Sequence, residues 1–272
     1  MANILETIIA HKRTEVEQQK AKVSVDHLKV QMSELPKCRN FVKAVTKANP
    51  RGINVIAEVK KASPSAGVIR ADFDPVSIAQ TYETCGADAI SVLTDEKYFQ
   101  GKLEYLTAVK QTVSLPVMRK EFIIDPYQVY EARAAGADAI LLIADVLPVG
   151  VLSDLMILAT ELTLSILLEV YDPAVLMQVR SLIGFPEFGY SVLGINNRNL
   201  TTMEVDINTT GRLAALLDNV NGLVSESGIK TREDVERVKY AGATAVLIGQ
   251  ILCEHQDIKA KFDELFGTPL AS

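Results

Sequence analysis

The chain has 272 residues, of which 48% are hydrophobic, so it can bury a sizeable core. Its length suits one barrel of eight βα units, which takes roughly 250 residues. Its formal net charge of −6 at pH 7 disfavours a polyanionic partner such as nucleic acid, because only a local basic site could then bind phosphate. We expect neither a signal peptide nor a membrane partner, since no apolar run approaches transmembrane length.

The first 52 residues precede the first predicted strand and are predicted to form a helical extension. Apolar residues recur at helical spacing from about Asn3 to Gln19, with Asn3 as the N-cap, and further helical patterns precede Pro50. Two roles fit this segment equally well. It could be a lid over the bottom of the barrel, or it could form a wall of the functional site.

After this extension, strand and helix patterns alternate eight times. The predicted strands are short β-branched or leucine-rich runs, typical of buried parallel strands. They are Asn54–Val59, Ala89–Leu93, Pro116–Arg119, Ala139–Ile143, Ser165–Val170, Val192–Ile195, Gly222–Ser225 and Ala245–Ile248. The predicted helices that follow them are Asp74–Cys85, Lys102–Thr112, Asp125–Ala135, Val149–Leu162, Asp172–Ile183, Ile207–Leu217, Thr231–Ala241 and Asp257–Leu265.

This alternation implies a parallel sheet with right-handed crossovers, and eight rounds imply closure. The sequence therefore predicts an α/β fold, a single (β/α)8 TIM barrel with an N-terminal helical extension. We expect one domain over residues 1–272, with the extension at 1–52 and the barrel at 53–272.

Polar side chains stand at the ends of five predicted strands, and a sixth strand ends in Gly249. In a closed parallel barrel all carboxyl ends open on one face, where active sites lie. The polar residues are Glu58 and Lys60, Lys120, Glu169, Asn196 and Glu226. We therefore expect these residues, which are far apart in sequence, to meet at one mouth.

The segment IAEVKKASPSAG is the most informative of these strand ends. Glu58 and Lys60 share one strand face at a period of two, and Ser63, Pro64 and Ser65 follow as a turn. On an exposed strand such a pair would be an ordinary ion pair. Because the flanking residues are apolar, a functional site is the better interpretation.

The cysteines and histidines argue against a metal centre. Cys38, Cys85 and Cys253 lack CxxC spacing, which indicates reduced thiols in the cytoplasm and excludes a disulfide framework or zinc site. The three histidines lie away from the strand ends, so neither a metal nor a histidine-based triad is expected.

Several motifs occur in one order: IAEVKKASPS, SVLTDEKYFQG, RKEFIIDPYQVYEAR, LLEV, GINNRNL, SESGI and LIG. Together they resemble the indole-3-glycerol-phosphate synthases of tryptophan biosynthesis, from about Asn3 to the end of the chain. The resemblance implies a carboxy-lyase whose substrate is 1-(2-carboxyphenylamino)-1-deoxyribulose 5-phosphate. The ring carbon that bears the carboxylate attacks the ribulose carbonyl, carbon dioxide and water leave, and indole-3-glycerol phosphate forms. It also implies that no cofactor is needed.

The resemblance further implies roles for the strand-end residues. Lys120 matches the general acid that protonates the carbonyl during ring closure, because a developing alkoxide needs both charge and a proton. Glu169 matches the acid or base of dehydration, and Glu58 a second carboxylate that assists proton transfer. Lys60 matches a phosphate contact that could also serve as an acid, so the division between the two lysines stays open. We expect the ammonium group of one of these two lysines to lower the pKa of the other.

The remaining residues match binding groups. Asn196 and Glu226 match groups that hold the substrate hydroxyls and ring nitrogen, with Arg198 in a supporting position. The residues that match an apolar slot for the anthranilate ring are Phe99, Phe122 and Leu141.

The phosphate is expected at Ser227, Gly228 and Gly249, with Ser63 nearby, because exposed backbone N–H groups there would form an anion site. Taken alone, SESGIKT could equally be a glycine turn and helix cap. Ala66 stands where many relatives have a basic residue. If the φ angle of Gly249 is negative, we expect Gly249→Asp to abolish phosphate binding and leave the barrel folded.

Two alternatives accompany the synthase hypothesis. One is a family paralogue in specialised indole metabolism that cyclises and decarboxylates a related, non-phosphorylated keto acid. The other is a non-catalytic barrel that acts as a subunit or regulator, but such a protein should have lost strand-end polar residues, and none is lost here. The expected partner is a phosphorylated small molecule, and the chain is expected to be a monomer or weak homo-oligomer.

Overall fold

The computed structural model describes residues 3–187, 189–218 and 221–267. Ten strands are found within these ranges, and eight of them form a closed parallel barrel. The strands are β1 Asn54–Val59, β2 Ala62–Ser63, β3 Gly67–Val68, β4 Ala89–Leu93, β5 Val117–Lys120, β6 Ala139–Ile143, β7 Ser165–Val170, β8 Ser191–Asn196, β9 Leu223–Glu226 and β10 Ala245–Ile248. The barrel order is β1-β10-β9-β8-β7-β6-β5-β4, and β2 and β3 form a small antiparallel hairpin after β1. The predicted (β/α)8 TIM barrel is confirmed.

Helices surround the barrel and precede it. They are α1 Ile4–Lys22, α2 Val25–Ser33, α3 Phe41–Thr46, α4 Pro75–Thr84, α5 Glu96–Phe99, α6 Leu103–Thr112, α7 Pro126–Ala134, α8 Val149–Glu161, α9 Pro173–Val179, α10 Thr209–Ala214, α11 Arg232–Tyr240, α12 Gln250–Glu254 and α13 Ile258–Phe266. Two 3₁₀ helices, Ala144–Val146 and Arg180–Leu182, follow β6 and α9. The short helix α5 was not predicted from the sequence.

Aspartate–proline pairs start three barrel helices. Asp74, Asp125 and Asp172 each accept a hydrogen bond from a backbone N–H in the first turn, and the following proline occupies the first helical position. The predicted helices began at these aspartates. The observed helices begin one residue later, because each aspartate is an N-cap with non-helical dihedrals.

Two apolar layers hold the barrel together. The outer layer packs the strands against the helices. The inner layer fills the barrel itself and includes Ile56, Met118 and Leu167. Both layers consist mainly of buried aliphatic side chains, as expected for a parallel sheet covered on both faces.

The N-terminal extension contacts both ends of the barrel. Helix α3 closes the amino end, where Phe41 joins the inner apolar layer and Asn54, at the start of β1, donates to the carbonyls of Val45 and Lys47. Helix α1 lies at the other end, because its Lys12 contacts Asp95 just after β4. The predicted lid over the barrel bottom is therefore right for α3. A wall of the site is not formed, since no described residue of the extension lines the cavity.

Candidate active site

The carboxyl ends of the barrel strands surround one cavity, which the structure lines with most of the predicted site residues. They are Glu58, Lys60, Ser63, Phe99, Lys120, Phe122, Leu141, Glu169, Asn196, Arg198, Ser227, Gly228 and Gly249. Glu226 does not belong to this lining. It is buried, 1% exposed, and contacts Lys120 from behind the cavity wall.

Strand register explains why these residues converge. Asn196 at the end of β8 lies opposite Glu226 at the end of β9, and Glu169 on β7 lies opposite Gly194 on β8. Because neighbouring parallel strands end at similar heights, one polar residue per strand end is enough to build a shared cluster.

Lys120 is the centre of this cluster and lies among three carboxylates. Its Nζ atom is 2.8 Å from Oε2 of Glu226, 3.4 Å from Oε2 of Glu169 and 4.0 Å from Oε2 of Glu58. Lys60 forms an ion pair with the other oxygen of Glu58. Two ammonium groups therefore face three carboxylates, and the cluster carries one negative charge in excess when all are ionised.

The protonation states follow from burial and from this imbalance. Burial lowers the pKa of Lys120, but the three glutamates outweigh it and the pKa is raised. Burial raises the pKa of Glu58, but Lys60 and Lys120 outweigh it and hold the pKa below its usual value. The expectation that the neighbouring ammonium lowers a lysine pKa is thus wrong for Lys120, because three carboxylates surround its charge.

Glu226 offsets the excess negative charge of the cluster by binding a proton. Burial, together with the nearby charge of Glu169, raises its pKa to about 8 despite the hydrogen bond from Lys120. Glu226 is therefore the carboxylate that holds a proton at neutral pH, while Lys120 stays charged.

A glycine makes room for Glu226. A Cβ atom on Gly194, in the middle of β8, would overlap Oε1 of Glu226. The sequence offered one signal for this position, since a glycine inside a strand often marks a close approach. Oε1 of Glu226 and Oε2 of Glu58 are buried and have no hydrogen-bond partner among the described residues.

Glu169 is oriented by its neighbour on β8. The amide of Asn196 donates to Oε1 of Glu169 at 3.0 Å, and Oδ1 of Asn196 accepts from the backbone N–H of Arg198 at 3.0 Å. Asn196 is thereby fixed on both sides of its amide. Its hydrogen bond leaves the other oxygen of Glu169 facing Lys120.

An apolar slot occupies another side of the cavity. The rings of Phe99 and Phe122 lie 6.0 Å apart between centroids and are tilted by 40°, and Leu141 contributes to the same lining. Asp95 accepts a hydrogen bond from the backbone N–H of Phe99, and Glu121 accepts one from that of Phe122. Such a slot fits a flat aromatic ring.

A loop after β8 covers part of the cavity. Leu200 and Met203 line the cavity, and Arg198 pairs with Val205 in an isolated antiparallel bridge. Arg198 donates to the carbonyl of Met203, and no described carboxylate pairs with its guanidinium. The sequence prediction included Arg198 but missed the two apolar residues, because a loop of this composition has no periodicity to read.

The predicted phosphate end combines strained backbone with unused donors. Ser227 and Gly228 both have positive φ, 64° and 81°, which strains the backbone at Ser227 but not at the glycine. Asn197 donates to the carbonyl of Ser227 at 3.0 Å and so holds this turn. Among the described residues, the backbone N–H groups of Gly228 and Gly249 have no acceptor. Strain of this kind concentrates at functional sites.

Gly249 is required by its contact with Glu58. Its φ is −139°, which any residue can adopt, yet an added Cβ would lie 2.6 Å from Oε1 and 2.7 Å from Cβ of Glu58. That Gly249→Asp leaves the barrel folded stays a prediction, but the substitution would also disturb the site, because any side chain at this position displaces Glu58.

Among the described residues, no group of three or more His, Cys, Asp and Glu side chains could hold a metal ion.

Comparison with known proteins connects this geometry to a family. A family model described as indole-3-glycerol phosphate synthase matches residues 5–265. The chain is 44% identical to the indole-3-glycerol phosphate synthase of Halalkalibacterium halodurans over 264 residues, or 97% of each protein. It is 45% identical to the protein of the same name from Neisseria gonorrhoeae, over 98% of this chain and 100% of the relative. The chain belongs to the indole-3-glycerol phosphate synthase family.

Membership of the indole-3-glycerol phosphate synthase family confirms the resemblance and the carboxy-lyase class predicted from the sequence. More distant structures share the fold alone. A mutant tryptophan synthase α-subunit from Pyrococcus furiosus has a TM-score of 0.58 at 16% identity, covering 79% of this chain and 98% of that one. A thiamine phosphate pyrophosphorylase from the same organism has a TM-score of 0.57 at 15% identity, covering 80% and 96%.

Proposed function

We propose that the cavity converts 1-(2-carboxyphenylamino)-1-deoxyribulose 5-phosphate into indole-3-glycerol phosphate, carbon dioxide and water. The observation that carries this proposal is a charged lysine among three carboxylates, beside an aromatic slot and a turn with free backbone donors. A cavity of this kind offers a proton donor, a place for a flat ring and a place for an anion.

Ring closure requires a proton at the ribulose carbonyl oxygen. We assign this step to Lys120, because its raised pKa keeps the ammonium charged until an alkoxide develops. The new carbon–carbon bond forms at the ring carbon that bears the carboxylate. Carbon dioxide then leaves with its bonding electrons returned to the ring.

Dehydration requires one group to remove a proton and another to protonate the departing hydroxyl. Glu169 is assigned to proton removal, since Asn196 fixes one oxygen and leaves the other facing the cavity cluster. Lys60 or Lys120 protonates the hydroxyl, and Glu58 holds both lysines in place. Glu226, which holds a proton near neutral pH, contacts Lys120 from outside the cavity and influences the pKa of its ammonium group.

Binding groups complete the assignment. The slot of Phe99, Phe122 and Leu141 takes the anthranilate ring, and Arg198 offers its guanidinium to an anionic group of the substrate. The backbone donors of Gly228 and Gly249, with Ser63 and Ser227 nearby, take the phosphate.

The setting is proposed from more general features. We assign the protein to the cytoplasm, because Cys38, Cys85 and Cys253 are all free thiols, as in a reducing compartment. Its partner is then a phosphorylated small molecule, and it acts as a monomer or weak homo-oligomer. None of the described helices combines the length and apolarity needed to cross a membrane.

The test is turnover of the carboxyphenylamino deoxyribulose phosphate, followed by the fluorescence of the indole product. The same assay is run with the dephosphorylated substrate and with inorganic phosphate as inhibitor. We expect turnover of the phosphorylated substrate and competitive inhibition by phosphate. Equal or better turnover of the dephosphorylated compound would instead favour a paralogue from specialised indole metabolism.

A further inference from the structure

Helix α1 carries a buried lysine whose role the proposed chemistry does not use. Lys12 is 0% exposed, although lysine is almost never fully buried unless it is paired. Its Nζ atom lies 3.0 Å from Asp95, 3.0 Å from Glu121 and 2.9 Å from Glu15. Asp95 and Glu121 are themselves buried, and they follow β4 and β5 at the cavity end of the barrel.

These two carboxylates are the ones that hold the aromatic slot. Asp95 caps helix α5 and accepts from the backbone N–H of Phe99 at 3.2 Å. Glu121 accepts from the backbone N–H of Phe122 at 2.9 Å. The ammonium of Lys12 therefore bridges two loops, and each loop presents one ring of the slot.

We propose that Lys12 is a positioning residue that sets the spacing of Phe99 and Phe122 from outside the cavity. Lys12 itself does not line the cavity. Its ammonium group neutralises the buried carboxylates of Asp95 and Glu121. Without it, the two carboxylates would repel each other and push apart the segments that follow β4 and β5. The inference rests on the proposed function, in which these rings bind the anthranilate part of the substrate.

The alternative is that Lys12 only fastens helix α1 to the barrel. Lys20 on the same helix provides the matched control, because it pairs with Asp125 at 2.8 Å. Asp125 caps helix α7 and holds no residue of the cavity. A fastening role should make Lys12→Met and Lys20→Met differ in stability only.

The experiment measures two inhibition constants for each variant, one for anthranilate as a ring probe and one for inorganic phosphate. For Lys12→Met we expect anthranilate to bind about tenfold more weakly, while phosphate inhibition changes by less than about twofold. Lys20→Met should change neither. Lys12→Met with Glu121→Gln should recover part of the anthranilate affinity, because glutamine still accepts the Phe122 N–H and removes a buried charge that Arg119, 3.9 Å away, compensates only in part.

Other outcomes overturn the inference. Unchanged anthranilate binding in folded Lys12→Met would do so, as would equal weakening of both probes or no recovery in the double variant. If Lys12→Met does not fold, Asp95→Asn is measured instead. It keeps the cap on Phe99 and cannot cause repulsion with Glu121, but Lys12 then no longer bridges the two segments, so anthranilate binding alone should weaken. A wild-type protein that does not convert the substrate would overturn the proposed function, not this inference.

Discussion

Both ends of the barrel bury carboxylates, but the two ends differ in how many hydrogen-bond donors these carboxylates have. At the amino end, Asp88 lies 2.9 Å from Arg51 Nη2 and 2.9 Å from Lys47 Nζ, and it also accepts a backbone N–H of β1. Asp138 pairs with Lys110 at 2.6 Å and accepts two backbone N–H groups. Both oxygens of each aspartate have donors there.

At the carboxyl end, Glu58 and Glu226 each have one oxygen without a hydrogen-bond donor among the described residues. These oxygens are Oε2 of Glu58 and Oε1 of Glu226, and two lysines serve three glutamates. Buried polar groups are normally satisfied, so unsatisfied groups indicate strain or function. The comparison indicates that the amino end stabilises the fold and the carboxyl end is reserved for a substrate, as in other barrels of this kind.

A pair of lysine substitutions tests this division most strongly. Lys120→Ala should lower kcat by about a hundredfold to ten-thousandfold, the usual range for a lost general acid. Its melting temperature should change little, because Glu226, the carboxyl group nearest Lys120, already holds a proton at neutral pH and is not left as an unpaired buried anion. Steady-state rates and thermal melts check both values. Near-normal turnover would remove Lys120 from the mechanism.

Lys110→Ala is the corresponding substitution at the amino end, and we expect it to have the opposite effect. It leaves Asp138 buried without its cation, so the free energy of unfolding should fall by about 3 kcal/mol. Turnover per folded molecule should stay near the wild-type value, since Lys110 pairs with Asp138 at the amino end and does not line the cavity. Chemical denaturation measures the loss. A variant that is as stable as wild type but inactive would reverse the proposed division.

Gly194→Ala should have an intermediate effect at the carboxyl end. The added methyl group must displace the carboxylate of Glu226, which in turn shifts Lys120. We expect kcat to fall by about tenfold, equivalent to roughly 1.4 kcal/mol. Gly150→Ala, on α8 with no atom within 4 Å of the new methyl, is the matched control and should be silent. Equal rates for the two variants would show that Glu226 can move without consequence.

The same contrast explains what the sequence could predict. Barrel strands and strand-end polar residues were predictable, because short apolar runs and parallel topology determine where each run ends. The buried position of Glu226 was not predictable, and Gly194 indicated only a close approach and not its partner, since both depend on contacts between neighbouring strands. Lys12 was also missed, because a lysine in an amphipathic helix is usually a solvent-exposed residue.

Glu226 should also leave a smaller signature in the pH dependence of stability. Its pKa is raised to about 8 in the folded state from a usual value of 4.5. The folded state therefore holds a proton that the unfolded chain has released between these two pH values. This contribution to stability is complete below about pH 4.5 and is lost as the pH rises through about 8. Wild type should become progressively less stable over that window.

Glu226→Gln isolates this contribution, because it removes the titrating group and keeps a similar shape. Asp145, whose pKa burial raises to about 7, titrates in the same window and remains in both proteins. Denaturant titrations at several pH values between about 5 and 8 should therefore show a flatter profile for the variant than for wild type. Identical slopes would mean that Glu226 ionises normally, and the proton that offsets the excess negative charge of the cluster would then have to reside on Glu58 or Glu169.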